Sequence, residues 1–374
     1  MKKHSIPAIA AALLALSIAS CGQRNTDSTV KSDSLPEAEA EIYRTFGENY
    51  FNALPDLIEK FPESLSYDFS LLRDSTDLAI STSDDGRLRF YSFDTHTGGT
   101  MIAFQTLIQW LDENGKQHLD TFHYPVEGAN PSSIVDRTEE LDDVATIRGV
   151  HLLPSANGEP ATYLVEAYMR EWSTMGFYAL MAVQIRDGKP VALPAMKGEN
   201  SPDTSLSYEI NIPYWYFTTD GLGWSWLNEF DKTTGHLYVP EFSEDDYTEP
   251  TDRYSVYTWK DGMLVPVAEN EPNRRLDPSL ADYTDLHEIL STPRHDIRID
   301  RVAPGRYRYA SWPKDSLMHG KPASTAFADG VEPDETTPMD FRTPDGYTYR
   351  LTRDESKTLT ILHNGKPLQT LPIN

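Results

Sequence analysis

Several polar loops of this 374-residue chain combine aromatic rings with carboxylates, side chains that together bind neutral sugars. Rings pack on the apolar faces of a sugar, and carboxylates accept hydrogen bonds from its hydroxyls. The sequence therefore predicts ligand contacts in these loops. The candidate residues are Asp94, His96, Glu171, Trp172, Asp245, Asp246, Tyr247 and Trp312.

Other roles for these residues follow from the same spacing. His96 beside Asp94 suits a general base oriented by a carboxylate, but an Asx turn is the commoner use of such a pair. The run Glu244–Asp246 has the oxygen ligands of Ca²⁺ without the spacing of a calcium loop, so we predict no metal and no cofactor. The chain has no G-x-S-x-G, H-E-x-x-H, Walker or dinucleotide motif. Paired loop carboxylates of a glycosidase would leave no local motif, so an enzyme stays open as an alternative.

Glycine-centred turns at a regular interval delimit the strands that must position these loops. Gly86, Gly158, Gly235 and Gly305 each precede an apolar run, and they lie 70 to 77 residues apart. Glycine accepts the positive φ of a tight hairpin, and a constant step indicates a repeated unit. We predict an all-β antiparallel domain over residues 62–374, a β-propeller-like array of about five sheet units. A curved open sheet and tandem β-sandwiches are the alternatives.

The ends of this array involve two further segments. Ile42, Phe46, Tyr50 and Ala53 have helical spacing, which predicts a short helical segment over residues 37–61, broken near Pro55, that caps the β-body. Strands are predicted from Tyr67–Leu72 onward. Leu78–Thr82 is predicted to complete the last unit and so close the ring.

The composition restricts the possible partners. With 58 acidic and 33 basic residues the formal net charge is −25, which repels phosphate backbones and excludes nucleic acid as a partner. Hydrophobic residues are 39% of the chain, enough for a sizeable core. A neutral or cationic partner is compatible with this charge.

The first 22 residues resemble the leader of bacterial lipoproteins. Lys2 and Lys3 precede the apolar run Ile6–Ala19, and Ile18-Ala19-Ser20-Cys21 is similar to a lipobox. The resemblance implies a signal peptide over residues 1–20, cleavage before Cys21, acylation of that residue including palmitate, and an extracytoplasmic protein anchored to a bacterial membrane. We predict the outer membrane, with either leaflet open, and a flexible tether over residues 21–36.

The rest of the chain has no specific family resemblance and is similar only to uncharacterised all-β envelope lipoproteins. Cys21 is the only cysteine, so the body has neither a disulfide nor a thiol nucleophile. The resulting hypothesis is a lipid-anchored binding or scaffold protein of the cell envelope, which contacts a glycan or an envelope protein through its loop face. The alternative is a carbohydrate-active hydrolase.

Overall fold

The structure, a computed structural model, describes residues 32–96, 103–125, 131–135, 145–154, 159–170, 175–196, 203–211, 228–242, 248, 250–274, 276–314, 316, 318, 320–330, 337–353 and 357–373. It is mostly antiparallel β-structure with a short helical region near the N-terminus, and its sheets curl. The chain forms two compact units. Unit 1 comprises Met1–Met169 and Ala179–Leu206, and unit 2 comprises Arg170–Tyr178 and Ser207–Asn374.

Unit 1 begins with three helices and two 3₁₀ turns. Prolines occupy the first turn of α1 and α2, where a missing N–H leaves no helical bond unmade. Pro55 therefore lies in the first turn of α2, which begins at Leu54, instead of breaking a helix, and α1 ends before Gly47. The predicted strand Tyr67–Leu72 is also wrong, because α3 begins within it. The elements are α1 Leu35–Phe46, a 3₁₀ turn Gly47–Asn52, α2 Leu54–Lys60, a 3₁₀ turn Pro62–Leu65 and α3 Ser70–Ser75.

The helices of unit 1 pack on its first sheet through one apolar face. Ile42, Tyr50 and Ala53 are buried as their spacing predicts, and they share a core with Tyr91 and Phe93. The strands follow in sheet order β1 Ala79–Thr82, β2 Leu88–Asp94, β3 Phe104–Leu111 and β4 Gln117–Thr121. Because β1 pairs with β2 in the same sheet, Leu78–Thr82 does not complete a distant unit.

The second sheet has β8 at its centre, and the division between the two units passes through β7, β8 and β10. Its order is β5-β9-β8-β7-β6, and β10 also pairs with β8. The strands are β5 Ser132–Ser133, β6 Thr146–Leu152, β7 Thr162–Arg170, β8 Met175–Arg186, β9 Lys189–Leu193 and β10 Ser205–Asn211.

Unit 2 holds a four-stranded and an eight-stranded sheet, each a simple meander. The eight-stranded sheet unites the predicted fourth and fifth units, because a bridge between Phe327 and Arg342 joins their strands. The strands of the first are β11 Glu229–Asp231, β12 His236–Phe242, β13 Pro250–Lys260 and β14 Met263–Pro272. Those of the second are β15 Asp285–Ser291, β16 His295–Ala303, β17 Arg306–Pro313, β18 Ser324–Asp329, β19 Met339–Arg342, β20 Tyr347–Thr352, β21 Thr358–His363 and β22 Lys366–Pro372.

Alternation along β16 and β17 gives the eight-stranded sheet two different buried faces. Ile299 and Tyr309 belong to its apolar core. The other face carries Arg298, Asp300 and Arg308, which are at most 4% exposed. Register places Arg308 opposite Asp300, whose two oxygens lie 2.5 Å from Arg298 Nε and 2.7 Å from Arg308 Nη2. Arg308 also donates to the backbone carbonyls of Ser279, Leu280 and Ala281, and so holds the segment before β15 against the sheet.

Candidate functional site

A cavity of about 800 Å³ lies in unit 1 between two hairpin turns, one joining β3 to β4 and the other joining β8 to β9. We call it the turn cavity. It is open to solvent on one side and mixes charged, amide and aromatic side chains. Its lining consists of Trp110, Asp112, Glu113, Asn114, His118, Leu119, Asp120, Asp187, Gly188 and Lys189.

Two hydrogen bonds fix one turn against the other. Trp110 Nε1 donates to the Gly188 carbonyl at 2.9 Å, and the Gly188 amide donates to Glu113 Oε1 at 3.3 Å. Gly115 and Gly188 have φ of +76° and +79°, a region that L-residues rarely adopt, so each turn needs its glycine. The cavity walls are therefore positioned by backbone geometry and by a nearly buried indole.

Asp112 organises the β3–β4 turn. Its Oδ1 accepts hydrogen bonds from the backbone amides of Asn114 and Lys116, at 2.8 and 2.9 Å. Its Oδ2 lies 3.0 Å from His118 Nε2, and the imidazole stacks on Trp110 with ring centroids 5.3 Å apart. The bond from His118 and those from the two amides lower the pKa of Asp112, which keeps this carboxylate ionised. Asp112 thus serves the turn. Glu113 also accepts a hydrogen bond from the Gly188 amide, and Asp120 Oδ1 accepts one from the Thr121 amide at 2.7 Å.

Negative charge dominates the rim of the turn cavity. Glu113 and Asp187 are exposed and Asp120 is half-buried, whereas Lys189 is the one lysine of the lining. Ionised carboxylates accept hydrogen bonds from hydroxyl and ammonium groups and repel anions. Trp110 is only 4% exposed and is covered by His118, so its ring offers no open platform for a sugar.

We expect Trp110→Phe to lower the free energy of unfolding by about 1–2 kcal/mol, because the Gly188 carbonyl loses its indole donor and a small void remains. Trp312→Phe is a matched control, since Trp312 is also buried and donates to the Gly320 carbonyl at 2.9 Å. Both variants should lose similar stability in urea denaturation. Only Trp110→Phe should increase hydrogen exchange at residues 186–189, and equal exchange there in both variants would contradict the docking of the turns.

The structure places two of the predicted loop residues at the end of β2. Asp94 Oδ1 accepts a hydrogen bond from the backbone amide of His96 at 2.8 Å, and this bond forms the expected Asx turn. His96 has a φ of +56°. His96 Nδ1 lies 3.5 Å from Asp94 Oδ2, with the imidazole about half exposed. This pair remains a predicted ligand contact. It lies at the opposite end of its hairpin from the turn cavity, because β3 runs between the two.

Trp312 is placed differently from its prediction. It belongs to β17 instead of a loop, and at 2% exposure it presents no face to a ligand. Strand β17 continues to Pro313, which occupies its last position and so breaks no ladder. The other predicted contacts, Glu171, Trp172, Asp245, Asp246 and Tyr247, lie outside the described residues, as does Cys21.

Sequence reasoning missed the turn cavity, although a signal for it exists. The inner-turn glycines Gly115 and Gly188 lie 73 residues apart, close to the 72 residues between the opening glycines Gly86 and Gly158. Equivalent turns of successive sheets can therefore meet, and here the inner turns do so. The acidic residues that flank both glycines would have marked the site.

Among the described residues no helix is long and apolar enough to span a bilayer. Within that same part of the chain no three histidine, cysteine or acidic side chains are grouped as metal ligands would be. Comparison of the sequence with protein-family models and with curated proteins found no match.

Proposed function

We propose that this chain is a lipid-anchored protein of the bacterial cell envelope, attached through Cys21, that binds a polar ligand in its β-body. The ligand is a glycan or a segment of an envelope protein. The observation that supports this best is the turn cavity, because it is a concavity in which several polar side chains converge, as they do in small-molecule sites.

The charge of the cavity defines the ligand class. Glu113, Asp120 and Asp187 face one lysine, Lys189, so a ligand must be neutral and rich in hydroxyls, or cationic. An anionic ligand would meet repulsion from this rim and from a chain with a net charge of −25. The same argument keeps nucleic acid outside the proposal.

The loop contacts and the arrangement of the sheets form the finer part of the proposal. We infer that Asp94, His96, Glu171, Trp172, Asp245, Asp246 and Tyr247 add contacts in the loops between strands. A propeller-like arrangement of the sheets is also proposed, with the four sheets of the described residues in place of the five units predicted from the sequence. The docking of one inner turn on another in unit 1 supports it, because blades of a propeller present equivalent turns on one side.

Asp187→Asn tests the binding role of the cavity with little change of shape. We expect about tenfold weaker binding of any ligand that contacts this rim, because one charge-assisted hydrogen bond is lost. Titration of the full-length protein with neutral glucose oligomers, cationic glucosamine oligomers and anionic uronic acid oligomers gives the measurement. Binding of a cationic oligomer should weaken with salt, and binding of a neutral one should not.

Asp261→Asn is the matched control, because Asp261 occupies the same position in the Asp-Gly turn between β13 and β14 and has the same φ of +51° as Asp187. The affinity of the Asp261→Asn variant for the same oligomers should equal that of the wild type. Equal affinities in both variants, or preferential binding of uronic acids, would remove the cavity from the proposal. Release of sugar from a bound oligomer would favour the alternative hydrolase.

A further inference from the structure

A second cluster, which we call the His287 latch, joins distant parts of the eight-stranded sheet in unit 2. It consists of His287 and Glu288 on β15 and Arg353 just after β20. Arg353 Nη2 lies 2.5 Å from Glu288 Oε2 and 3.3 Å from His287 Nε2. These contacts are independent of the turn cavity, since they use other residues in the other unit.

A β-bulge explains how one arginine reaches two consecutive side chains. Leu286 pairs with Asp300 and Glu288 pairs with Ile299, so His287 is the extra residue without a partner in the ladder. In a regular strand neighbouring side chains point to opposite faces, whereas a bulge turns two of them to one side. His287 and Glu288 therefore present their side chains together.

The contacts of Arg353 also show that this sheet curls strongly. In the sheet order four strands separate β15 from β20, yet Arg353 contacts both residues of the bulge. The contact holds the edge strand β15 over the apolar core that includes Tyr349 and Leu351 of β20. Loss of the contact would leave β15 held by its pairing with β16 and by the packing of Leu290 on the apolar core.

The latch requires a neutral imidazole. Arginine has only donors, so His287 Nε2 must be the acceptor in its bond with Arg353. Protonation would remove that lone pair and set two cations side by side. The imidazole of His287 packs edge-on against the Tyr307 ring of β17, with ring centroids 5.1 Å apart. The charged groups around the imidazole are Arg353, Glu288 and Arg301 of β16.

We propose that the His287 latch is an acid-released closure, in which protonation of His287 breaks its bond to Arg353 and loosens strand β15 from the curled sheet. Glu288 keeps part of the contact, so release is partial and reversible. At neutral pH both acceptors hold Arg353, and the edge strand is closed.

The direction of the pH dependence follows from the environment of His287. His287 is exposed as a residue, and its ring is desolvated where it packs on Tyr307. This desolvation and then the positive charge of Arg353 lower the pKa of His287 in the folded protein, and Arg301 adds to this against the opposing effect of Glu288. The contribution of the latch to stability is therefore complete above the ordinary histidine pKa of about 6.5. It is lost as pH falls from there toward the lowered folded value.

Hydrogen exchange of the full-length protein tests the latch. Protection factors for residues 285–291 should fall about tenfold between pH 7.5 and pH 5, the effect of one lost charge-assisted hydrogen bond. Residues 88–94 of β2 in unit 1 should keep their protection and so exclude global unfolding. His287→Gln supplies an acceptor that does not titrate, so its β15 should remain protected at both pH values.

Glu288→Gln is the matched control. It removes the ion pair but retains His287, so β15 should be less protected at pH 7.5 and should still respond to acid. The same loss of protection in wild type and His287→Gln would overturn the proposal, and so would unchanged protection of wild-type β15 at pH 5. If His287→Gln fails to fold, the wild-type titration still decides, because its midpoint must coincide with the NMR titration of the His287 ring.

Discussion

Asp300→Ala is expected to lower the free energy of unfolding by about 3–5 kcal/mol, the cost of breaking a buried ion cluster by removing one partner. Asp300 and Arg298 have no exposed surface, and Arg308 is 4% exposed. Without the carboxylate, two guanidinium groups would face each other away from solvent. Urea denaturation followed by tryptophan fluorescence and by circular dichroism would give the free energy change.

The expected loss is large because the cluster also carries backbone contacts. Arg308 donates to three carbonyls before β15, and its orientation depends on the two bonds to Asp300 from Arg308 Nε and Nη2, at 3.1 and 2.7 Å. The cation–π contact of Arg298 with the Tyr283 ring, 4.6 Å from the centroid, depends on the same carboxylate.

Asp340→Ala is the control for Asp300→Ala, because Asp340 makes a bidentate pair with Arg350 that is far more exposed, 20% and 45% for the two side chains. We expect Asp340→Ala to lower the free energy of unfolding by less than about 1 kcal/mol. If Asp300→Ala were no more costly than Asp340→Ala, the buried cluster would not be what holds the segment before β15.

The fold class could be predicted because its signals are local. A glycine with positive φ and the alternating apolar residues beside it specify a hairpin within a dozen residues, so Gly86 and Gly115 mark real turns. The helix that begins within Tyr67–Leu72 could not be predicted from local signals of this kind. Glu39 of α1, 2% exposed, accepts the Leu72 amide and the Tyr67 hydroxyl, so a contact from about thirty residues upstream stabilises α3 there.

The sequence predicts the types of residue in the candidate site but not their arrangement. Carboxylates and glycine turns are visible in the sequence, but the turn cavity exists because Trp110 reaches Gly188, 78 residues away. Composition does not indicate which turns meet. For the same reason the sequence, which has no H-E-x-x-H motif, assigned no role to His287 and Glu288, whereas the bulge and Arg353 bring them into one cluster.

Cys21→Ser is expected to move the protein from the membrane fraction to the soluble fraction almost completely. Cys21 is the only cysteine, so no second thiol can carry an acyl chain. Each buried acyl methylene contributes about 0.8 kcal/mol to membrane binding, and more than one chain makes attachment stable. Loss of lipidation removes this whole contribution. Fractionation and labelling with palmitate in a bacterial host give the measurement.

Ser20→Ala is the matched control for the anchor, because it changes the neighbouring position and keeps a small residue before the cysteine, as the lipobox resemblance requires. Its protein should stay in the membrane fraction and take up label. A Cys21→Ser protein that still sediments with membranes would overturn the lipid anchor. The turn cavity would keep its proposed ligand class in that case, because its acidic rim acts on a ligand whether or not the chain is attached to lipid.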